Sequence, residues 1–149
     1  SGEVMGAGVS ASMNTDYAGN DMRVIGLTYA VSDDMGIHAS QTVYGEDGDF
    51  NMAGTNMDGS WMTTGNMGYL GAGAEDLSIG LTYAMSGVNL GATMHMITNS
   101  LDDAVERDVM EISLAYSLND NSSLGVKYAT DATGDVDSKY TWLTLTVRP

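Results

Sequence analysis

The hexapeptide Ile25-Gly26-Leu27-Thr28-Tyr29-Ala30 returns unchanged at residues 79–84, and a looser copy reads Ile112-Ser113-Leu114-Ala115-Tyr116-Ser117. Large residues occupy every second position in each copy. Ile79, Leu81, Tyr83 and Met85 share one face, and Ser78, Gly80, Thr82 and Ala84 share the other. A period of two is the signature of an extended strand, because successive side chains point to opposite sides. Met110, Ile112, Leu114, Tyr116 and Leu118 repeat the pattern, as do Ile25, Leu27, Tyr29 and Val31.

Each copy is followed by a short polar turn and a second alternating run. Asp33-Asp34 leads into Met35-Gly36-Ile37, Gly87-Val88-Asn89 into Leu90-Gly91-Ala92, and Asp120-Asn121-Ser122-Ser123 into Leu124-Gly125-Val126. Connections this short force antiparallel pairing, so the repeated unit is a β-hairpin. The pattern predicts eight principal strands, over 3–13, 22–32, 35–44, 77–86, 89–98, 109–118, 123–130 and 139–147. They form an all-β, antiparallel up-and-down meander. Short turns lie at one end of the sheet. Longer connections, over 14–21, 45–76, 101–108 and 130–137, lie at the other. The stretch 45–76, rich in Gly, Asn and Met, has room for irregular structure or a further short strand pair.

The length of 149 residues fits one domain spanning 1–149. With 19 glycines and a single proline, the composition is unlike that of a linker and suits close-packed backbone in a sheet. Twenty acids against five bases give a net charge of −15. That argues against a nucleic-acid partner, which needs Lys and Arg for phosphate, and favours cations over anions. The absence of cysteine excludes disulfides and zinc–thiolate sites. No apolar run is long enough for a membrane-spanning helix. No signal peptide is visible, and a chain that begins at Ser1 reads as mature, processed or incomplete.

Which face is wet decides the fold. A water-soluble sandwich would bury the Leu/Tyr face and show water a face rich in Lys, Glu and Thr. Here the opposite face is Gly, Ser, Thr and Ala, broken by His38, His95, Glu111 and Lys127, all of which share its parity. A large apolar face backed by a small, weakly polar one fits a barrel in lipid, with small residues filling a narrow interior. The strand lengths and the asymmetry of turns and loops fit the same architecture.

The run Leu-x-Tyr-x-Leu-Ser/Asn, short turn, Leu-Gly-Val-x-Tyr resembles the hairpins of Gram-negative outer-membrane porins, above all the general diffusion porins of proteobacteria. The likeness is best over Leu77–Val147, weaker over Glu3–Tyr44 and poor between Gly45 and Gly73. It implies a transmembrane β-barrel in the bacterial outer membrane, with periplasmic turns at 33–34, 87–88 and 119–122 and long outward loops. Two features depart from that family. Its members end on an aromatic residue, whereas this chain ends Val147-Arg148-Pro149. They also have about 16 strands, so this chain would be a small barrel of about eight strands or part of a larger porin barrel.

Several residues invite a sharper reading. Glu46, Asp47 and Asp49, followed by Asp58, form the densest acidic cluster and the one weak candidate for Ca2+, although the spacing is not that of an EF-hand. A solvated acidic loop is the plainer reading. His38, His95, Glu111 and Lys127 would form a structural polar network facing the lumen. Most of the acids fall in or beside the long connections, which places an acidic mouth at that end, carried by Asp102, Asp103 and Asp108. The dispersed methionines read as apolar contact. Tyr29, Tyr83 and Tyr116 precede short turns and would line one rim. No nucleophile elbow, metal spacing or acid–base pair points to an enzyme.

The expectation is therefore a porin-like barrel in contact with outer-membrane lipid, for passive passage of small solutes or cations or for a structural membrane role, with a homo-oligomer compatible. The competing reading is a secreted, self-assembling β-protein of the extracellular surface, a surface-layer or appendage subunit, whose Leu/Tyr faces bury against a neighbour.

Overall fold

The computed structural model describes residues 6–50, 70–103 and 106–148, together with the backbone of 2–4. The further strand pair anticipated within 45–76, and Asp58, lie outside the described residues. The chain forms one antiparallel sheet in strict sequence order. Its strands are β1 (Gly2–Val4), β2 (Ala7–Thr15), β3 (Asp21–Ala30), β4 (Met35–Tyr44), β5 (Ala74–Met85), β6 (Val88–Asn99), β7 (Arg107–Asn119), β8 (Ser122–Thr133) and β9 (Val136–Val147). The eight-strand, all-β meander read from the alternation is present, with β1 as a three-residue addition. The described residues include no helix.

Two boundaries differ from the sequence reading. The first strand, expected to run unbroken over 3–13, is a hairpin: Gly2, Glu3 and Val4 pair back onto Val9, Gly8 and Ala7. Gly6 lies between them with φ of 81°, a backbone region that side chains with a Cβ rarely enter. The connection expected over 130–137 is only Gly134-Asp135, because β8 continues to Thr133 and β9 starts at Val136. Gly134, with φ of 55°, makes that tight reversal. Its Asp- and Thr-rich flanks look like a loop but are the ends of two strands.

The sheet inverts the burial order of a water-soluble protein. Ile25, Leu27 and Tyr29 of β3, Leu77, Ile79 and Leu81 of β5, and Met110, Ile112 and Leu114 of β7 are all exposed on one face. Thr42, Asp76, Ser78, His95 and Asp131 are buried on the other. The register keeps each face continuous. Ile37 sits opposite Leu81, Leu81 opposite Ala92, and Ala92 opposite Ile112. A soluble monomer rarely exposes so large a contiguous apolar surface.

The sheet curls around its small-residue face. Gly8 and Ser10 of β2 and Ser113 and Ala115 of β7 line one cavity of about 1210 Å³ beside the short turns. At the opposite end Met22, Tyr44, Phe50 and Ala74 form a buried apolar cluster, against which Val24 and Leu70 pack. Leu70 also meets Ile97 and Val109. Phe50 and Leu70 belong to the long connection after β4, so that connection returns to the small-residue face at both of its ends.

Candidate functional site

Several charged residues of the small-residue face are held in pairs. Antiparallel register sets Ser113 opposite Lys127 and Glu111 opposite Ala129. Lys127 and Glu111 are thus diagonal neighbours, and Lys127 Nζ donates to Glu111 Oε2 at 2.8 Å. Arg107 and Asp131 make the bidentate form of the same contact. Nε donates to Oδ1 at 2.8 Å and the guanidinium Nη2 to Oδ2 at 2.6 Å, with Asp131 almost fully buried. Planar guanidinium matches planar carboxylate, which fixes the geometry as well as the charge.

A third pair joins β5 and β6. His95 Nδ1 lies 2.9 Å from Asp76 Oδ2, and both residues are buried. Asp76 faces Thr42 across β4 and β5. Asp76 Oδ1 and Thr42 Oγ1 are buried without a hydrogen-bond partner among the described residues. Next along the same face, the hydroxyls of Ser40 and Ser78 are 2.7 Å apart. His38 lies further toward the cavity, 3.4 Å from the Thr93 hydroxyl. Its ring rests over Gly80, where a Cβ would come within 2.4 Å of two ring atoms and 2.7 Å of the Ala92 carbonyl oxygen.

The structure therefore places His38, His95, Glu111 and Lys127 on the small-residue face, and brings Glu111 to Lys127. The two histidines are engaged elsewhere, His95 with Asp76 and His38 with Thr93. Sequence reasoning missed Asp76, Arg107 and Asp131, because it set all three in connections. Continuing the alternation through Asp76-Leu77-Ser78 and Ala129-Thr130-Asp131 would have put both acids on the small-residue face.

Glu46, Asp47 and Asp49 do not converge as a cation site. Glu46 Oε1 accepts from the Ser100 hydroxyl at 2.7 Å, and Asp49 Oδ1 accepts from the Ala72 amide at 2.8 Å. Asn20 Nδ2 donates to the Asp49 carbonyl at 3.1 Å, and the Gly73 amide to the Gly45 carbonyl at 2.9 Å. These contacts tie the start and end of the long connection together. Among the described residues, no three His, Cys, Asp or Glu side chains are grouped to hold a metal ion.

Of the three acids read as a mouth, Asp102 and Asp103 are exposed in the connection between β6 and β7. Asp108 lies inside β7, opposite Met96 and Ala132, with the parity of the large apolar face. The acidic end is also less charged than a count of its acids implies, because Asp131 is matched by Arg107 and Asp21 by Arg23. No family model, curated protein or solved structure matches the chain.

Proposed function

We propose that this chain is a membrane β-barrel of the outer-membrane, porin-like kind. One observation carries the reading: through the middle of β3, β5 and β7 the large apolar side chains are exposed, while Thr42, Asp76, Ser78, His95 and Asp131 are buried on the opposite face of the sheet. Water penalises that arrangement at each position, at roughly 25 cal/mol for each Å² of apolar surface left exposed. Hydrocarbon favours it, and also demands that backbone hydrogen bonds be met within the sheet.

The small-residue face is then the interior. Its cavity of about 1210 Å³ offers room for water and small solutes beside the short turns. The paired charges and the Phe50–Leu70 cluster narrow the other end. Passage of small solutes, or a structural membrane role where the cluster closes the interior, follows from the same architecture. The exposed Asp102 and Asp103 would bias the entrance toward cations.

Extraction of the protein from its cells tests this. A β-rich species that dissolves only in detergent and conducts in a planar bilayer is the expected result. A β-rich species that dissolves in buffer and sediments as an assembly would replace the barrel by the secreted, self-assembling alternative.

A further inference from the structure

The two edges of the sheet are unequal. β9 pairs with β8 along its twelve residues, and its other edge meets no strand among the described residues. On the large-residue face its apolar side chains are accordingly among the barest in the sheet. Leu143 is 74% and Leu145 63% exposed, against 41% for Leu114 on a strand flanked on both sides. β2 is the other long edge, and Met13 is 64% exposed there. β1 covers that edge over Ala7–Val9 only.

Direction settles which strands can meet. Seven successive antiparallel pairings separate β2 from β9, so these two run antiparallel. β1 is antiparallel to β2 and hence parallel to β9. An even-stranded antiparallel closure therefore joins β9 to β2, on the edge that β1 holds. β1 offers three residue pairs there, whereas the nine residues of β2 could engage the longer β9 along their whole length. An open edge of unpaired amides and carbonyls does not persist in hydrocarbon.

We propose that β1 is a displaceable cap on the β2 edge, and that the barrel closes when β9 takes its place. Before insertion β1 shields part of a bare edge, which is the usual protection against pairing with a foreign chain. On insertion the longer strand displaces it, and Val9, Ala11 and Met13 join the apolar row of Leu143, Leu145 and Val147. This inference rests on the barrel reading above.

The chain has no cysteine, so engineered pairs report without background. Ala11→Cys is combined in turn with Thr141→Cys, Leu143→Cys and Leu145→Cys, which sample successive same-face registers. Each variant is reconstituted into phosphatidylcholine vesicles and oxidised, with circular dichroism to confirm its β content. The expected result is an intramolecular disulfide in at least one register. The same pair in a chain lacking residues 1–5 should form it on the order of tenfold faster, as removal of two or three backbone hydrogen bonds at their usual net value implies. Equal rates with and without residues 1–5, disulfides only between copies, or vesicle-inserted protein with no disulfide in any register would each overturn the proposal. A chain that stays in the aqueous phase would instead overturn the barrel reading beneath it.

Discussion

Lys127 Nζ reaches Glu111 Oε2 at 2.8 Å from the neighbouring strand, and the carboxylate side chain is only 12% exposed. Two residues sixteen apart in sequence thus share one polar layer beneath an apolar sheet. Breaking such a pair from one side leaves a largely buried charge without its counter-ion. Lys127→Met should destabilise the protein by about 3 kcal/mol, whereas Lys127→Met with Glu111→Leu should lie close to the parent. Urea unfolding in detergent, run as a double-mutant cycle, reads the difference. Equal losses in the single and double variants would remove the pair from the account of stability.

Close packing under His38 gives a second test. At Gly80 a Cβ would strike the His38 ring and the Ala92 carbonyl oxygen, and the carbonyl belongs to a paired strand that cannot give way. At Gly125 the nearest atoms are 3.9 Å away, which is ordinary contact. Gly80→Ala should therefore cost about 1–3 kcal/mol. Gly125→Ala should be neutral, or stabilising by up to about 1 kcal/mol, because glycine is a poor strand residue. Thermal midpoints of the two variants, compared side by side, check the contrast.

The solvent of the large-residue face is open to direct measurement. Ile79 is 53% exposed in the middle of β5. If that face meets lipid, Ile79→Lys should cost about 2–4 kcal/mol of folding free energy in bilayers. A lysine added to a water-exposed strand position would change stability by less than about 0.5 kcal/mol. Refolding equilibria in vesicles distinguish the two, and the small value would speak for an aqueous face.

Placement also separates the acids at the long-loop end. Asp102 and Asp103 are exposed in a connection, while Asp108 has the parity of the apolar face. If the barrel conducts ions as proposed, Asp102→Asn with Asp103→Asn should lower the cation preference measured as a reversal potential across a salt gradient, and Asp108→Asn should leave it unchanged. A larger shift from Asp108→Asn would mean that β7 meets the conduction path with its other face.

Much of this fold could be read in advance because its rule is local. Alternation at Ile79, Leu81 and Tyr83 sets the strand, and the tight turns after Val31, Met85 and Asn119 set each strand's neighbour. The same parity placed His38, His95, Glu111 and Lys127 on one face. Where strands end is a different matter. The turn at Gly134 was masked by polar flanks that resemble a loop, and Asp131 is accommodated in a strand by Arg107, on the strand before, and by the Thr133 hydroxyl. Gly6 ended β2 within what looked like one alternating run. Phe50 and Leu70 carry no periodicity at all, so their burial on the small-residue face follows only from the completed sheet.

The neck formed by Gly45, Asp49, Ala72 and Gly73 has a consequence for how sequences of this type can diverge. Its hydrogen bonds hold the departing and returning backbone side by side, so the two ends of the long connection are already clamped where they leave and rejoin the sheet. Lengthening a connection whose ends are clamped is cheap, since each doubling adds only about 0.6 kcal/mol of closure entropy. Foreign peptides grafted there should leave β4 and β5 in register, which makes this position the natural site for display on the molecule and the place where inherited variation can accumulate fastest.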